Sequence, residues 1–234
     1  MGHTESRQNK SNILNCFKMI KPTIHPIKLL IIICLSLSVI RIFLEWEMVY
    51  LFLVWNLFLA WLPLFFAQLS SKTNKSYASI SLIGLSVLFL PNASYLVTDL
   101  VHFRMGSRIN LWFDMVLFLS YAFSGLMLTI YTIDALVRVI ANMYSKRLSS
   151  AFHILIFPII GCGIYVGRIE RWNSWDVFIH PFHFLSEMYQ IIFSSQIVDL
   201  LSFCALFGGF SALFYILIKR IQQPHDVHIN PKLK

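Results

Sequence analysis

The hydrophobic residues of this 234-residue chain fall into six long runs, separated by segments that contain most of the charged residues. Each run approaches the ~20 residues that a helix needs to cross ~30 Å of hydrocarbon. No segment shows the alternation of apolar and polar residues that is typical of a transmembrane β-barrel. The pattern therefore predicts six helical spans: Ile27–Leu44, Met48–Leu69, Tyr77–Val97, Phe113–Ile140, Ala151–Ile169 and Ile197–Ile218.

Composition supports this fold class, because 57% of the residues are hydrophobic and the mean hydropathy is +0.69. A soluble domain of this length has too little core volume to bury so many apolar side chains. We therefore predict an all-α integral membrane protein, a single bundle of about six transmembrane helices in a lipid bilayer. Its predicted parts are a basic N-terminal segment (residues 1–26), a six-span transmembrane domain (residues 27–220) and a disordered tail (residues 221–234).

Lysine and arginine are distributed unequally between the two ends of the predicted spans. One side carries both termini and every lysine, whereas the other side carries five arginines: Arg41, Arg104, Arg108, Arg168 and Arg171. Since positively charged loops tend to remain in the cytoplasm, we predict a protein of the cell (cytoplasmic) membrane with both termini inside. The net charge of +8 then reflects topology and contact with anionic lipid, and no nucleic-acid partner is expected.

The connection between spans five and six, Glu170–Gln196, is too long to be a tight turn. It contains two apolar stretches, Val177–Ile179 and Tyr189–Phe193. A helix lying along the membrane surface, or entering it and returning, would satisfy the backbone hydrogen bonds of such a segment. We therefore predict an interfacial outer segment between spans five and six.

A first polar cluster lies at the outer end of span three. Asn92, Tyr95, Asp99 and His102 are spaced i, i+3, i+7 and i+10, so on a continuous helix they share one face. Asp99 and His102 are candidate catalytic residues for acid–base chemistry, and Asn92 and Tyr95 are candidate binding residues. The alternative is a polar helix end that emerges into water, with Tyr95 as an interfacial anchor.

A second polar cluster follows span five, where the sequence reads Gly-Arg-Ile-Glu-Arg-Trp-Asn-Ser-Trp-Asp over residues 167–176. Arg168 and Arg171 could clamp a phosphate or a carboxylate, with Asn173 and Asp176 beside them. The alternative is helix-end electrostatics, which favours cations at the C-terminal ends of helices and acids at their starts. That alternative explains the signs of several charges: Arg41, Glu47, Asp114 and Asp199.

Three further side chains, His180, His183 and Glu187, have the spacing of residues that share one helical face. Two histidines and a carboxylate could bind zinc, but no His-Glu-x-x-His motif is present and Pro181 separates the histidines. Interfacial side chains are the preferred interpretation, so no metal site is predicted.

Diagnostic catalytic and cofactor motifs are missing from the sequence. It contains no Walker loop, no Gly-x-Ser-x-Gly and no dinucleotide-binding fingerprint. Three of the four cysteines lie inside apolar runs, and no Cys-x-x-Cys pair occurs. We therefore predict no cofactor, and whether the protein is an enzyme remains open.

Few polar residues or glycines interrupt the middle of the spans. Asp134 is predicted to pair with Arg138, one turn later in span four. We assign Asn56 and Asp134 to the inner half of the bundle, where they are the only obvious polar candidates for a transport path. Gly161 and Gly163 are predicted to permit close helix packing.

Three motifs resemble a known family. They are Pro-Asn-Ala-x-Tyr-x-x-Thr-Asp at residues 91–99, Trp-x-Asp at 112–114, and the block at 167–176 described above. Together they are similar to the bacterial multi-pass membrane family known as domain of unknown function 1361 (DUF1361). The resemblance extends from about span two to span six and implies a bacterial cytoplasmic membrane location. It implies no activity, substrate or cofactor, and His180 and His183 are not part of the pattern.

The leading hypothesis for function is an outward-facing polar site between spans three, four and five. Its ligand would be anionic, such as a lipid headgroup or an envelope precursor, and the protein would bind it or act on it. The alternatives are a small transporter and a non-catalytic subunit of a membrane complex, and the oligomeric state is not predicted. The candidate site residues are Asn92, Tyr95, Asp99, His102 and Asp114, facing Arg168, Arg171, Asn173 and Asp176.

Overall fold

The computed structural model describes residues 24–45, 48, 50–73, 76–103 and 108–222. Most of the predicted N-terminal segment and most of the predicted tail lie outside the described residues. Glu47 and Arg104, which belong to connections between spans, also lie outside them. The helices are α1 (Ile24–Glu45), α2 (Leu51–Lys72), α3 (Ser76–Thr98), α4 (Arg108–Met143), α5 (Lys146–Arg168), α6 (Asp176–Ile179), α7 (Pro181–Ile192), α8 (Ile197–Phe203) and α9 (Gly209–Gln222). A 3₁₀ helix, Asp99–His102, extends α3, and a π-helix, Cys204–Gly208, joins α8 to α9.

Six helical segments of the described chain are long and apolar enough to cross a membrane, as predicted. They are α1, α2, α3 with its 3₁₀ extension, α4, α5, and the continuous unit formed by α8, the π-helix and α9. No strand occurs among the described residues. The protein is therefore an all-α, multi-pass membrane protein.

The predicted span boundaries differ from the observed helices by a few residues. Helix α5 begins at Lys146, five residues before the predicted start, because the Ser145 hydroxyl accepts a hydrogen bond from the Leu148 amide (3.1 Å) and caps the helix. Helix α4 has 36 residues and is therefore about 54 Å long at 1.5 Å per residue. That length exceeds the ~30 Å hydrocarbon thickness, so α4 extends beyond the membrane or tilts strongly.

Helix α4 is the central helix of the bundle, with α1, α2, α3 and α5 packed around it. Its side chains Phe118, Tyr121 and Leu136 are almost completely buried. One apolar core joins α4 to α1, α2 and α3, and a second joins it to α3, α5 and α9. The two cores hold the other five spans in fixed positions around α4.

Two glycines of α5 allow close packing, as predicted. A Cβ at Gly163 would lie 2.6 Å from the Pro91 Cβ, and a Cβ at Gly161 would lie 2.5 Å from the Cys204 Cα. Helix α3 continues through Pro91 without interruption. The pyrrolidine ring of Pro91 packs against the bare backbone of Gly163 and sets the spacing of α3 and α5.

The two ends of the bundle differ in their side chains. We call the end that contains Trp112, Trp172 and Trp175 the tryptophan end, and the end that contains Lys72 and Lys146 the lysine end. At the lysine end Asp134 is bonded to Lys219 of α9 and accepts a hydrogen bond from the Tyr215 hydroxyl (2.8 Å). The predicted partner Arg138 is not the residue that holds this carboxylate, because packing brings α9 against this face of α4.

The connection between spans five and six is folded at the tryptophan end. It contains the short helix α6 and the 12-residue helix α7. Helix α7 exposes large apolar side chains, including Phe182 (86% exposed), Leu185 and Tyr189, while Ile191 is buried. A helix with an exposed apolar face is typical of a membrane interface.

Candidate functional site

Arg168, the last residue of α5, lies against the end of α3. Its Nη2 atom is 2.7 Å from the Asp99 Oδ1 atom. The Thr98 hydroxyl oxygen accepts hydrogen bonds from Arg168 Nε (3.1 Å) and Nη2 (2.5 Å), and Nη1 is 3.0 Å from His102 Nε2. These contacts join spans three and five at the tryptophan end.

The Asp99 carboxylate is satisfied on both oxygens. Asn56 of α2 donates from Nδ2 to Oδ2 at 2.8 Å, while Arg168 donates to Oδ1. The residue is only 1% exposed, so water contributes little to its solvation. The carboxylate is therefore held by side chains from two different helices. Asn56, predicted to lie in the inner half, lies instead at the tryptophan end, because α2 begins only five residues earlier.

The hydrogen-bonding capacity of Arg168 is nearly exhausted by these contacts. A guanidinium has five N–H donors, and Arg168 uses its Nε, one donor on Nη1 and both on Nη2. The Tyr95 ring lies under the guanidinium, with the Cζ atom 4.0 Å from the ring centroid. Arg168 therefore has little capacity left for an anionic ligand, and its observed contacts are within the protein.

Asp114 was predicted to belong to the same site, but the structure places it in a separate ion pair. Arg41 Nε of α1 lies 2.5 Å from Asp114 Oδ1, and both residues are buried. The Tyr50 hydroxyl donates to Asp114 Oδ2 at 3.2 Å. Partial burial raises the pKa of the Tyr50 phenol, and the nearby Asp114 carboxylate raises it further.

Aromatic side chains separate the two ion pairs. The Phe52 ring lies 5.5 Å from His102 and 6.4 Å from Phe118, and Tyr50 lies 5.1 Å from Phe118 (all between centroids). Phe103 also packs on Phe118, at 6.0 Å. The predicted single polar site is thus divided into two clusters, because the start of α2 inserts its aromatic residues between them.

The remaining predicted binding residues lie in the segment after α5. The Asp176 Oδ2 atom accepts hydrogen bonds from the Asn173 amide (2.8 Å) and from Asn173 Nδ2 (3.0 Å). Arg171 is exposed and has a φ of 61°, which is uncommon for a residue other than glycine. Asn173 and Asp176 therefore shape the turn before α6, whereas Arg171 lies at the surface.

Hydrogen bonds fasten this segment to α3 and α7. Asn92 donates from Nδ2 to the Ser174 hydroxyl at 3.0 Å, and Ser174 donates to the Leu88 carbonyl at 3.3 Å. The Trp172 indole donates to Glu187 of α7. The Trp172 ring also packs on Phe184, with centroids 5.3 Å apart. The segment thus covers the ends of α3 and α5.

A groove of about 410 Å³ lies beneath this segment, between α3 and α5. Its wall is mostly apolar, and its end is closed by polar side chains and by α7. Along α3 the lining runs from Gly84 to Tyr95, a distance of about 16 Å at 1.5 Å per residue. Gly84 and Ile159 are exposed on the flank of the bundle, so the groove opens toward lipid. The lining residues are Gly84, Val87, Leu88, Pro91, Asn92, Tyr95, Ile159, Cys162, Gly163, Val166, Gly167, Trp172, Asn173, Ser174, Val177, Phe184 and Met188.

A smaller, more polar cavity of about 110 Å³ adjoins the closed end of the groove. The two cavities share the side chains that separate them: Asn92, Tyr95, Gly167, Trp172, Asn173 and Ser174. Trp55, Asn56, Leu59 and Trp175 complete the smaller cavity. An apolar compartment therefore adjoins a compartment with amide, phenol and hydroxyl groups, and this combination suits an amphiphile.

The predicted site residues are thus divided among several positions. Asn92, Tyr95 and Asn173 line the cavities, while Asp99, His102 and Arg168 form the network behind them. Sequence reasoning missed Ser174 and Thr98 as partners, although both belong to the motifs that it singled out. Nothing in the sequence pointed to Asn56 as the partner of Asp99, because that contact spans 43 residues.

The histidines of the connection do not form a three-ligand cluster in the described chain. His183 Nε2 lies 3.3 Å from Glu187 Oε1, and Glu187 also accepts the Trp172 hydrogen bond. No group of three or more His, Cys, Asp or Glu side chains within the described ranges is arranged to hold a metal ion.

A family model described as "Protein of unknown function (DUF1361)" matches residues 55–214. The match covers more than half of the chain, and the protein therefore belongs to this family. The membership predicted from the three motifs is confirmed. No curated protein and no solved structure matches the chain.

Proposed function

We propose that this member of the DUF1361 family binds a lipid or lipid-linked envelope molecule in the groove between α3 and α5. The observation that carries the proposal is the groove itself, an apolar trough that opens on the lipid-facing flank and ends at neutral polar side chains. A hydrocarbon chain would lie along Val87, Leu88 and Ile159. The headgroup would lie at Asn92, Asn173 and Ser174, which can both donate and accept hydrogen bonds.

The network around Arg168 would position this binding site and would not contact the ligand. Arg168 and Asp99 hold the ends of α5 and α3 together, directly behind the Tyr95 ring that lines both cavities. If the ligand is anionic, the nearby exposed cation is Arg171, which precedes Trp172 in the chain. The catalytic role predicted for Asp99 and His102 stays a prediction. Neither residue lines the groove.

Location and orientation belong to the same proposal. We infer that the protein lies in the cytoplasmic membrane of a bacterium, with both termini inside and the tryptophan end outside. The lysine and arginine distribution supports this orientation. A reporter enzyme that is active only outside the cell, fused after Lys234, is expected to be silent. Activity of that fusion would show that the C-terminus lies outside, which contradicts the proposed orientation.

A variant that fills the groove tests the binding proposal. Gly84 lines the groove and an added Cβ there meets no atom within 4 Å, so Gly84→Leu is expected to occupy part of the groove without forcing the helices apart. Gly209→Leu is the matched control, because its Cβ also meets nothing within 4 Å and Gly209 does not line the groove. Both variants exchange an exposed helical glycine for leucine.

The probe is a phosphatidylglycerol with a photoactivatable group in one acyl chain, incorporated with the purified protein into phosphatidylcholine vesicles. We expect cross-links to peptides that line the groove, and about tenfold less cross-linking in Gly84→Leu, the loss of ~1.4 kcal/mol of binding free energy. Gly209→Leu is expected to match the unsubstituted protein. Equal labelling of both variants, or labelling spread over all lipid-facing peptides, would contradict the proposal.

A further inference from the structure

A third cavity lies at the lysine end of the bundle. It encloses about 380 Å³ between α1, α2 and α4. Its inner wall is apolar, whereas its rim carries the polar side chains Gln68, Ser71, Lys72, Tyr131, Arg138 and Asn142. No residue of the groove lines this cavity, and the two sites can be tested separately.

The charged side chains that the structure describes at this rim are both cations. Lys72 and Arg138 line the cavity, and no carboxylate of the described residues does so. The acid closest in sequence, Asp134, lies one turn before Arg138 on α4, but it is bonded to Lys219 and Tyr215 of α9. Among the described residues no carboxylate oxygen lies within 4.0 Å of either cation. The described lining of the cavity therefore carries two positive charges without a paired carboxylate.

Helix-end electrostatics explains Lys72 but not Arg138. Lys72 is the last residue of α2, where a cation interacts favourably with the helix dipole. Arg138 lies five residues before the end of α4 and is only partly exposed. A guanidinium that is partly removed from water is stabilised by an anion that accepts two parallel N–H bonds, and a phosphate oxygen pair has that geometry.

From this arrangement we infer that the lysine-end cavity is a binding site for a phosphate group, held by Arg138 and Lys72. Gln68, Asn142 and the Tyr131 hydroxyl supply further hydrogen-bond donors around it. The apolar inner wall and the position at the end of the spans favour a phospholipid headgroup as the source of the phosphate. Free inorganic phosphate has the same anionic chemistry and is distinguished by experiment.

The test compares paired charge-removing variants of the full-length protein. Arg138→Gln with Lys72→Gln removes both cations of the rim. Lys146→Gln with Arg147→Gln is the control, because it removes two exposed cations from the same end that do not line the cavity. Arg138→Lys retains the positive charge but loses the two parallel N–H donors, so it separates the effect of charge from that of guanidinium geometry. Far-ultraviolet circular dichroism of each variant checks that the helical content is retained.

Binding is measured by native mass spectrometry of detergent-solubilised protein titrated with dioleoyl phosphatidylglycerol, with dioleoyl phosphatidylcholine, or with inorganic phosphate alone. We expect bound phosphatidylglycerol, with at least tenfold weaker binding in the Arg138/Lys72 variant. The Lys146/Arg147 control is expected to stay within about threefold of the unsubstituted protein. Arg138→Lys is expected to bind with an affinity between those of the control and the Arg138/Lys72 variant, because lysine keeps the charge but not the two parallel donors. If inorganic phosphate saturates the protein and prevents phosphatidylglycerol from binding, the result would support the phosphate site and would identify a free anion as its ligand.

Two results would overturn the inference. If the two paired variants weaken phosphatidylglycerol binding equally, positive charge at this end attracts the lipid without a specific site. If the Arg138/Lys72 variant keeps its native helical content and still binds phosphatidylglycerol as tightly as the unsubstituted protein, the cavity does not hold the headgroup. Neither result bears on the groove, since the Gly84 variant changes only the opposite site.

Discussion

Arg168 at the end of α5 lies 2.7 Å from Asp99 at the end of α3, and both residues are part of a network that also includes Asn56, Thr98 and His102. The sequence predicts Arg168 as a ligand-binding cation and Asp99 as a catalytic residue for acid–base chemistry. Their contacts support different roles: the pair holds the helix ends together, and the adjacent cavities bind the ligand.

Breaking this pair from one side is expected to destabilise the protein. Asp99→Asn leaves the Arg168 charge without its anion at a site where the carboxylate is 1% exposed. Removing one partner of a buried pair typically costs about 3–5 kcal/mol. Arg168 retains part of its contacts through Thr98 and Tyr95, so we expect about 2–4 kcal/mol, together with lower abundance in the membrane. Denaturant unfolding in detergent micelles, followed by tryptophan fluorescence, measures the change.

The double variant Asp99→Asn with Arg168→Gln and the surface variant Arg171→Gln complete the comparison. The double variant is expected to lose less stability than the sum of its two single changes, because it leaves no unpaired charge. Arg171 is exposed and is expected to change stability by less than about 0.5 kcal/mol. Additive losses in the double variant would contradict a coupled pair.

Tyr50→Phe tests the second ion pair. The substitution removes the hydrogen bond from the phenol to Asp114 (3.2 Å) and is expected to cost about 1 kcal/mol. The folded protein raises the pKa of Tyr50, chiefly by burial. The contribution is therefore present below the ordinary phenol pKa of about 10 and is lost as the pH rises through the higher folded value.

The measurement for this prediction is the stability difference between Tyr50→Phe and the unsubstituted protein from pH 6 to pH 11. Tyr144→Phe is the matched control, because Tyr144 is exposed and follows α4 at the opposite end. A difference that is already lost at pH 7, or an equal effect of the control, would show that the phenol does not support Asp114.

Gly163→Ala tests the contact between α3 and α5. The added methyl group would lie 2.6 Å from the Pro91 Cβ, so the two helices must separate or shift. Overpacking of this kind costs about 1–3 kcal/mol, and we expect lipid cross-linking in the adjacent groove to fall as well. Gly209→Ala meets open space and is expected to be neutral or slightly stabilising, since alanine favours the helix.

The readouts for Gly163→Ala are thermal unfolding and the photo-cross-linking yield defined for the groove. A variant as stable as Gly209→Ala would contradict the close approach of Pro91 to α5. Loss of stability with unchanged cross-linking would show that the groove does not depend on this helix contact.

Much of the architecture follows directly from the sequence. The number of spans, their helical form, their approximate limits and the helix in the 170–196 connection depend on local hydrophobicity and length, because a backbone in hydrocarbon must satisfy its own hydrogen bonds. The motifs around Asn92 and Arg168 also marked the region of the cavities, for a different reason. Charge and amide groups are costly near the membrane unless they have partners, so their presence in an apolar sequence is informative.

The choice of partners was decided only by the tertiary structure. Asp114 pairs with Arg41 and not with the residues of α5, Asp134 pairs with Lys219 and not with Arg138, and Asn56 reaches Asp99 from another helix. Each choice depends on how the helices are arranged and rotated around α4. Periodicity indicates which residues share a helical face, but long-range packing, such as Pro91 against Gly163, determines which helix that face meets and where a groove remains.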